Sequence, residues 1–190
     1  MINHNHKFIF IHIPKTGGTS LEYFFCKNEE VPHKHFNATS CKRHFSQQWD
    51  NYFKFSIVRN PWDKVVSQWC MQKKRYGNSI KSFKQFVEVP QGFPLQPQLW
   101  YLSEPSCISY DSIINYVEGN INFILRFENL QEDFNNLCSH LNINPQKLPH
   151  RFSSSSIRNS VPYQDFYDDE SKEMVRRIYN IDIEYFKYEF

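Results

Sequence analysis

The sequence predicts an α/β protein, a three-layer α/β/α arrangement around a small central parallel sheet. Runs dominated by apolar, β-branched and aromatic residues recur at Phe8 to Ile13, Tyr52 to Val58 and Phe123 to Phe127. Such runs suit strands covered on both faces. Each is followed by a segment with helical spacing, and strands that alternate with helices favour parallel pairing. The length of 190 residues fits one domain, residues 1–190, able to bury roughly 70% of the unfolded chain's surface.

Residues 1–6 are polar and expected to be flexible. The first strand stops at Pro14, a glycine pair follows, and Thr19 to Cys26 is a helix with Leu21, Phe24 and Phe25 on one side. The segment His33 to Asp50 is polar and rich in histidine, with a short helix from Lys42 to Trp49. After the second strand, Asn60 and Pro61 read as an N-cap and an N1 proline. Trp62, Val65, Val66 and Trp69 then fall at i, i+3, i+4 and i+7, the core stripe of a helix reaching about Arg75. Ser82 to Val87 is a second short helix, and Pro90, Pro94 and Pro97 mark an irregular connection. The third strand leads into a helix with Leu130, Phe134, Leu137 and Leu141 on one face. Residues 151–164 hold four consecutive serines and Pro162, and are expected to form a mobile loop. Asp168, Asp169 and Glu170 open a final helix that Arg176 and Arg177 close, an order that suits the helix dipole.

Composition excludes several classes. Eighteen Phe and eleven Tyr need a dry interior, which rules out wholesale disorder. A net charge of +2, from 22 basic and 20 acidic residues, gives no global field for wrapping nucleic acid, though a local anion site stays open. No apolar run is long enough to span a bilayer. The five cysteines are scattered and form no Cys-x-x-Cys, which reads as reduced thiols in a cytoplasmic protein without leader or anchor.

The string Pro14-Lys15-Thr16-Gly17-Gly18-Thr19-Ser20 lies where the first strand hands over to the first helix. Two glycines let the backbone curl, the helix N-terminus adds its positive end, Lys15 adds a charge, and Thr16, Thr19 and Ser20 add hydroxyls. This is a P-loop-like anion trap for a phosphate or sulfate. It is not a Walker A loop, whose lysine follows the last glycine. Arg59 ends the second strand, where parallel sheets carry their ligands, and Ser67 lies off the apolar stripe of the next helix. A guanidinium with a hydroxyl suits a second phosphate.

The segments Phe10 to Ser20 and Phe55 to Ser67, with echoes in Leu125 to Phe134 and Ile178 to Phe190, resemble the sulfotransferase superfamily, and its carbohydrate-directed branch most. The resemblance implies 3′-phosphoadenosine 5′-phosphosulfate (PAPS) as sulfuryl donor, adenosine 3′,5′-bisphosphate as product, and a sugar or glycan hydroxyl as acceptor. It implies that Lys15 to Ser20 hold the 5′-phosphosulfate, and Arg59 and Ser67 the 3′-phosphate. Cofactor-covering segments of the family are similarly basic, which offers Arg158 as a residue that closes over the nucleotide; the alternative is a solvated loop arginine.

Sulfuryl transfer to a sugar hydroxyl is helped by a general base, and histidine titrates in the useful range. Lys15 would neutralise charge on the departing phosphate oxygen, and the scheme calls for no metal ion. The branch places a base histidine in about the position of Pro32-His33-Lys34-His35; His35 is the leading candidate and His33 the second, with His44 and His12 within reach. Two other functions stay open. One is an ATP-dependent kinase of the P-loop type, with the lysine displaced from its usual place. The other is a non-catalytic module binding nucleotide, or zinc through His33, His35, Cys41 and His44, whose spacing departs from zinc fingers.

Overall fold

A computed structural model describes residues 1–26, 34–79, 82–90, 94–149 and 158–190. The described residues fall into two compact units. The first, residues 1–58 and 98–151, contains the sheet: β1 (Ile2–Asn3), β2 (Phe8–Ile11), β3 (Phe53–Val58) and β4 (Phe123–Arg126), in that spatial order. Parallel pairing sets Phe10 opposite Phe55 and Phe55 opposite Phe123, in line with the expected α/β class.

The N-terminal segment departs from expectation. Ile2 and Asn3 pair antiparallel with Ile9 and Phe8, and Met1 is buried with its ammonium donating to the Phe10 carbonyl at 2.8 Å. Met1 and Ile2 supply the apolar surface that holds this edge, so only residues 4–7 are left as an exposed turn.

The sheet is aromatic on one face. Phe55 stacks on Phe10 at 5.0 Å between centroids and meets Phe8 at 5.2 Å. Leu21 of α1 (Gly18–Cys26) and Phe134 and Leu137 of α8 (Leu130–His140) close over them. Ile9 and Ile11 point to the other face and are equally buried, and α2 (Ala38–His44) packs against β2. The single helix expected from Lys42 to Trp49 is two, α2 and α3 (Ser46–Trp49), because Phe45 leaves helical geometry between them. Lys54, inward on β3, places its ammonium on the carbonyls of Trp49 and Tyr52 at 2.7 and 3.1 Å. The unit is completed by α6 (Gln98–Leu102) and α7 (Tyr110–Asn120).

The second unit, residues 59–97 and 152–190, is helical among its described residues. It contains α4 (Pro61–Tyr76), α5 (Phe83–Glu88), α9 (Asp169–Ile178) and α10 (Asn180–Phe186). Asn60 caps α4 by accepting the Trp62 N–H at 3.1 Å, as its Asn-Pro start predicts. The buried stripe of α4 is Trp62, Val65, Val66 and Cys70, with Trp69 at its margin, its ring edge-on to Phe83 and Phe166. Asp63, Lys64, Ser67, Gln68 and Gln72 are buried as well, so α4 is enclosed on its polar side too. Ser82 and Asp168 cap α5 and α9. Of the loop expected at 151–164, residues 151–157 lie outside the described set; Asn159 and Ser160 form a left-handed turn, and Tyr163–Phe166 a single 3-10 turn.

Candidate active site

Beyond β2 the chain passes through buried His12 and Ile13 and turns at Pro14. Lys15 takes φ +70° and Gly17 φ +86°. The left-handed region costs a lysine about 1 kcal/mol or more, so its surroundings must impose it. Thr16 is one such restraint: it is fully buried, and its hydroxyl donates to the Ile13 carbonyl at 2.8 Å. That hydroxyl proton is therefore spent inside the loop. A Cβ on Gly17 would lie 2.8 Å from Cδ2 of Phe127, and one on Gly18 would overlap the His12 and Phe10 rings. The glycines thus serve close approach as much as backbone freedom. They set the N-terminus of α1 directly behind the Lys15 turn, with Thr19 and Ser20 in its first turn.

Around this turn the first unit gathers three side chains that no local motif announces. His12 Nδ1 is 2.6 Å from Glu22 Oε1, Lys34 Nζ is 2.7 Å from Glu22 Oε2, and Lys34 Nζ also reaches Thr19 Oγ1 at 3.4 Å. Burial takes His12 down to about 4, against the pull of Glu22, so the ring is neutral and donates Nδ1–H to the carboxylate. Burial pushes Glu22 up, but His12 and Lys34 together outweigh it and hold the carboxyl below its ordinary value. His35 joins the same group. Its Nδ1 lies 3.2 Å from the His12 carbonyl oxygen, and the two rings stand 4.7 Å apart. The carbonyl only accepts, so Nδ1 carries the proton and Nε2 the lone pair. His35 is lowered below the ordinary histidine value, by burial first and then by the charges of Lys34 and Lys15.

The second unit holds the other cationic group. Arg59 Nε and one terminal nitrogen lie 2.9 and 2.7 Å from Asp63 Oδ2, one helical turn on. A terminal nitrogen of Arg158 lies 2.7 Å from Asp63 Oδ1. Two guanidinium groups thus share one carboxylate. Ser67 follows Asp63 by one further turn of α4 and is buried. Asp63 was not among the residues expected from sequence, although its four-residue spacing from Arg59 is the usual spacing of a helical ion pair.

The remaining candidates separate. His33 lies outside the described residues. His44 is exposed, its ring edge-on to Phe36 and Phe45. Cys41 is buried, and burial pushes its thiol up to about 11. Among the described residues, His, Cys, Asp and Glu form no group of three or more suited to a metal ion. No described helix is long and apolar enough to cross a membrane.

The first unit thus sets a strand–turn–helix loop at the end of a parallel strand, with a tautomer-fixed histidine in the cluster beside it. Residues 1–189 match the family model described as "Sulfotransferase family", and the chain belongs to that family. Membership implies sulfotransfer, with PAPS as the general donor and a hydroxyl as acceptor. The chain is also 27% identical over 111 residues to a protein of Archaeoglobus fulgidus described as uncharacterized, an alignment covering 58% of this chain and 84% of that one.

Proposed function

We propose that the chain moves the sulfuryl group of PAPS to a carbohydrate hydroxyl, with His35 as general base. The observation that carries this is the His35 tautomer. With Nδ1–H committed to the His12 carbonyl and its pKa lowered by burial, Nε2 is a neutral acceptor at physiological pH, near the charge of Lys15.

In this scheme residues 15–20 (Lys15, Thr16, Gly17, Gly18, Thr19 and Ser20) receive the 5′-phosphosulfate through the helix N-terminus and the Lys15 ammonium. Arg59, Ser67 and Arg158 receive the 3′-phosphate. When bound, the donor supplies the sulfuryl group and a phosphate leaving group. His35 Nε2 takes the hydroxyl proton as the acceptor oxygen forms its bond to sulfur. Lys15 meets the charge that builds on the phosphate oxygen as its bond to sulfur breaks. The preference for carbohydrate rests on the resemblance of Phe10 to Ser20 and Phe55 to Ser67 to that branch. Reduced cysteines, with no disulfide among the described residues, suit a cytoplasmic setting.

Parallel calorimetry with adenosine 3′,5′-bisphosphate, magnesium ATP and zinc tests the reading. Binding of the bisphosphate without magnesium is expected. Heat from ATP alone would turn the assignment to a kinase, and heat from zinc alone to a metal-binding module.

A further inference from the structure

Glu22 is a carboxylate in the second turn of α1, only 4% exposed, and the proposed chemistry makes no use of it. Burying a carboxylate is unfavourable unless partners hold it, and each oxygen of Glu22 has one. Oε1 takes the His12 ring, whose own backbone carbonyl holds His35, and Oε2 takes Lys34, the residue next to His35 in the chain. The His12 ring also lies against His35 at 4.7 Å. His35 is thus tied to Glu22 by two routes, one through His12 and one through Lys34.

We propose that Glu22 is a positioning residue, whose carboxylate holds His12 and Lys34 and thereby fixes the place and tautomer of His35. This rests on the reading of His35 as the base. The charged and titratable groups that bear on His35 are Lys34, Glu22 and Lys15, with His12 supplying its hydrogen bond. Their signs differ: Glu22 raises the His35 pKa, and Lys34 and Lys15 lower it.

Opposite signs supply a test that a merely structural role would not pass. Glu22→Gln keeps the shape and an acceptor for His12 but removes the charge. It is expected to move the His35 titration, followed by NMR of the imidazole, to lower pH. Lys34→Gln is expected to move it to higher pH. The acid limb of turnover should follow each shift, and kcat should fall about tenfold in Glu22→Gln through misplacement of the base. Affinity for adenosine 3′,5′-bisphosphate should stay within about threefold.

Shifts in the same direction in both variants, or no shift in either, would overturn the proposal. Lys34 is 40% exposed at its side chain, so Lys34→Gln keeps the test decisive even if Glu22→Gln fails to fold; an unmoved or lowered titration there overturns it. Full turnover in His35→Ala would instead remove the base assignment, a result that the NMR titrations distinguish from failure of the Glu22 linkage.

Discussion

The turn at residues 14–18 and the cluster on the first turns of α4 are both cationic, yet they are made of different material. The turn is mainly backbone: a left-handed lysine, a left-handed glycine, a second glycine pressed against a ring, and the start of a helix. The α4 cluster is almost wholly side chain, two guanidinium groups leaning on Asp63. A backbone cradle has its shape before any ligand arrives, because its dipoles are fixed by the chain. A cluster of long side chains must be braced, and Asp63 braces this one. Backbone shape suits the end of a ligand where bonds change, and braced charge suits an end that is only gripped.

The largest expected effect falls on the cradle. Lys15→Ala should lower kcat by about 10²–10³-fold with a smaller loss of donor affinity, since in the proposed scheme its cation meets the leaving oxygen and acts mainly in the transition state. Single-turnover kinetics would show it, and unchanged turnover would remove that role. Next comes Arg59→Ala, expected to weaken adenosine 3′,5′-bisphosphate about tenfold to a hundredfold by calorimetry. The same variant should bind 5′-AMP nearly as wild type does, because that nucleotide lacks the 3′-phosphate. If both nucleotides weaken alike, the division of labour between the two groups is wrong.

The pH predictions come from the buried imidazoles. In the proposed scheme His35 must be unprotonated, and it sits below the ordinary histidine value, so turnover should persist below pH 6.5 and fall only as pH drops through the lowered pKa. His12 affects stability with its own sign. Its folded pKa is about 4 against 6.5 unfolded, so the unfolded chain binds more protons in between. Stability should therefore decline from about pH 6.5 down to about pH 4, and level off below as far as His12 is concerned; denaturant midpoints across that range check it. The smallest effect belongs to Arg158→Gln, expected to weaken the bisphosphate only about threefold, because its guanidinium is partly exposed and Asp63 keeps Arg59 in place.

The same contrast in material explains what the sequence made legible. The cradle is contiguous, so strand, glycines and helix could be read from one string, as could the Asn60-Pro61 start of α4. Three strands were visible because their apolar runs are long. The short edge strand Ile2–Asn3 has too few residues for a pattern, and its hold depends on Met1 and on β2. The helix Tyr110–Asn120 was not foreseen because only Ile113 and Val117 are buried along it, and its cap is a Ser109–Ser112 pair rather than a serine with glutamate. Arg158 was named as a candidate, but its partner is 95 residues away, a separation that no periodicity reports. Glu22 and Lys34 were missed as members of the site for the same reason: they meet only when the chain after α1 returns to the turn.

The absent side chain of Gly18 has a last consequence. Because the imidazole of His12 fills the place a Cβ on Gly18 would take, the turn at residues 14–18 and the support behind His35 are one solid piece. A change meant to retune one will strain the other, so variation is easier to introduce elsewhere in the chain than at this junction.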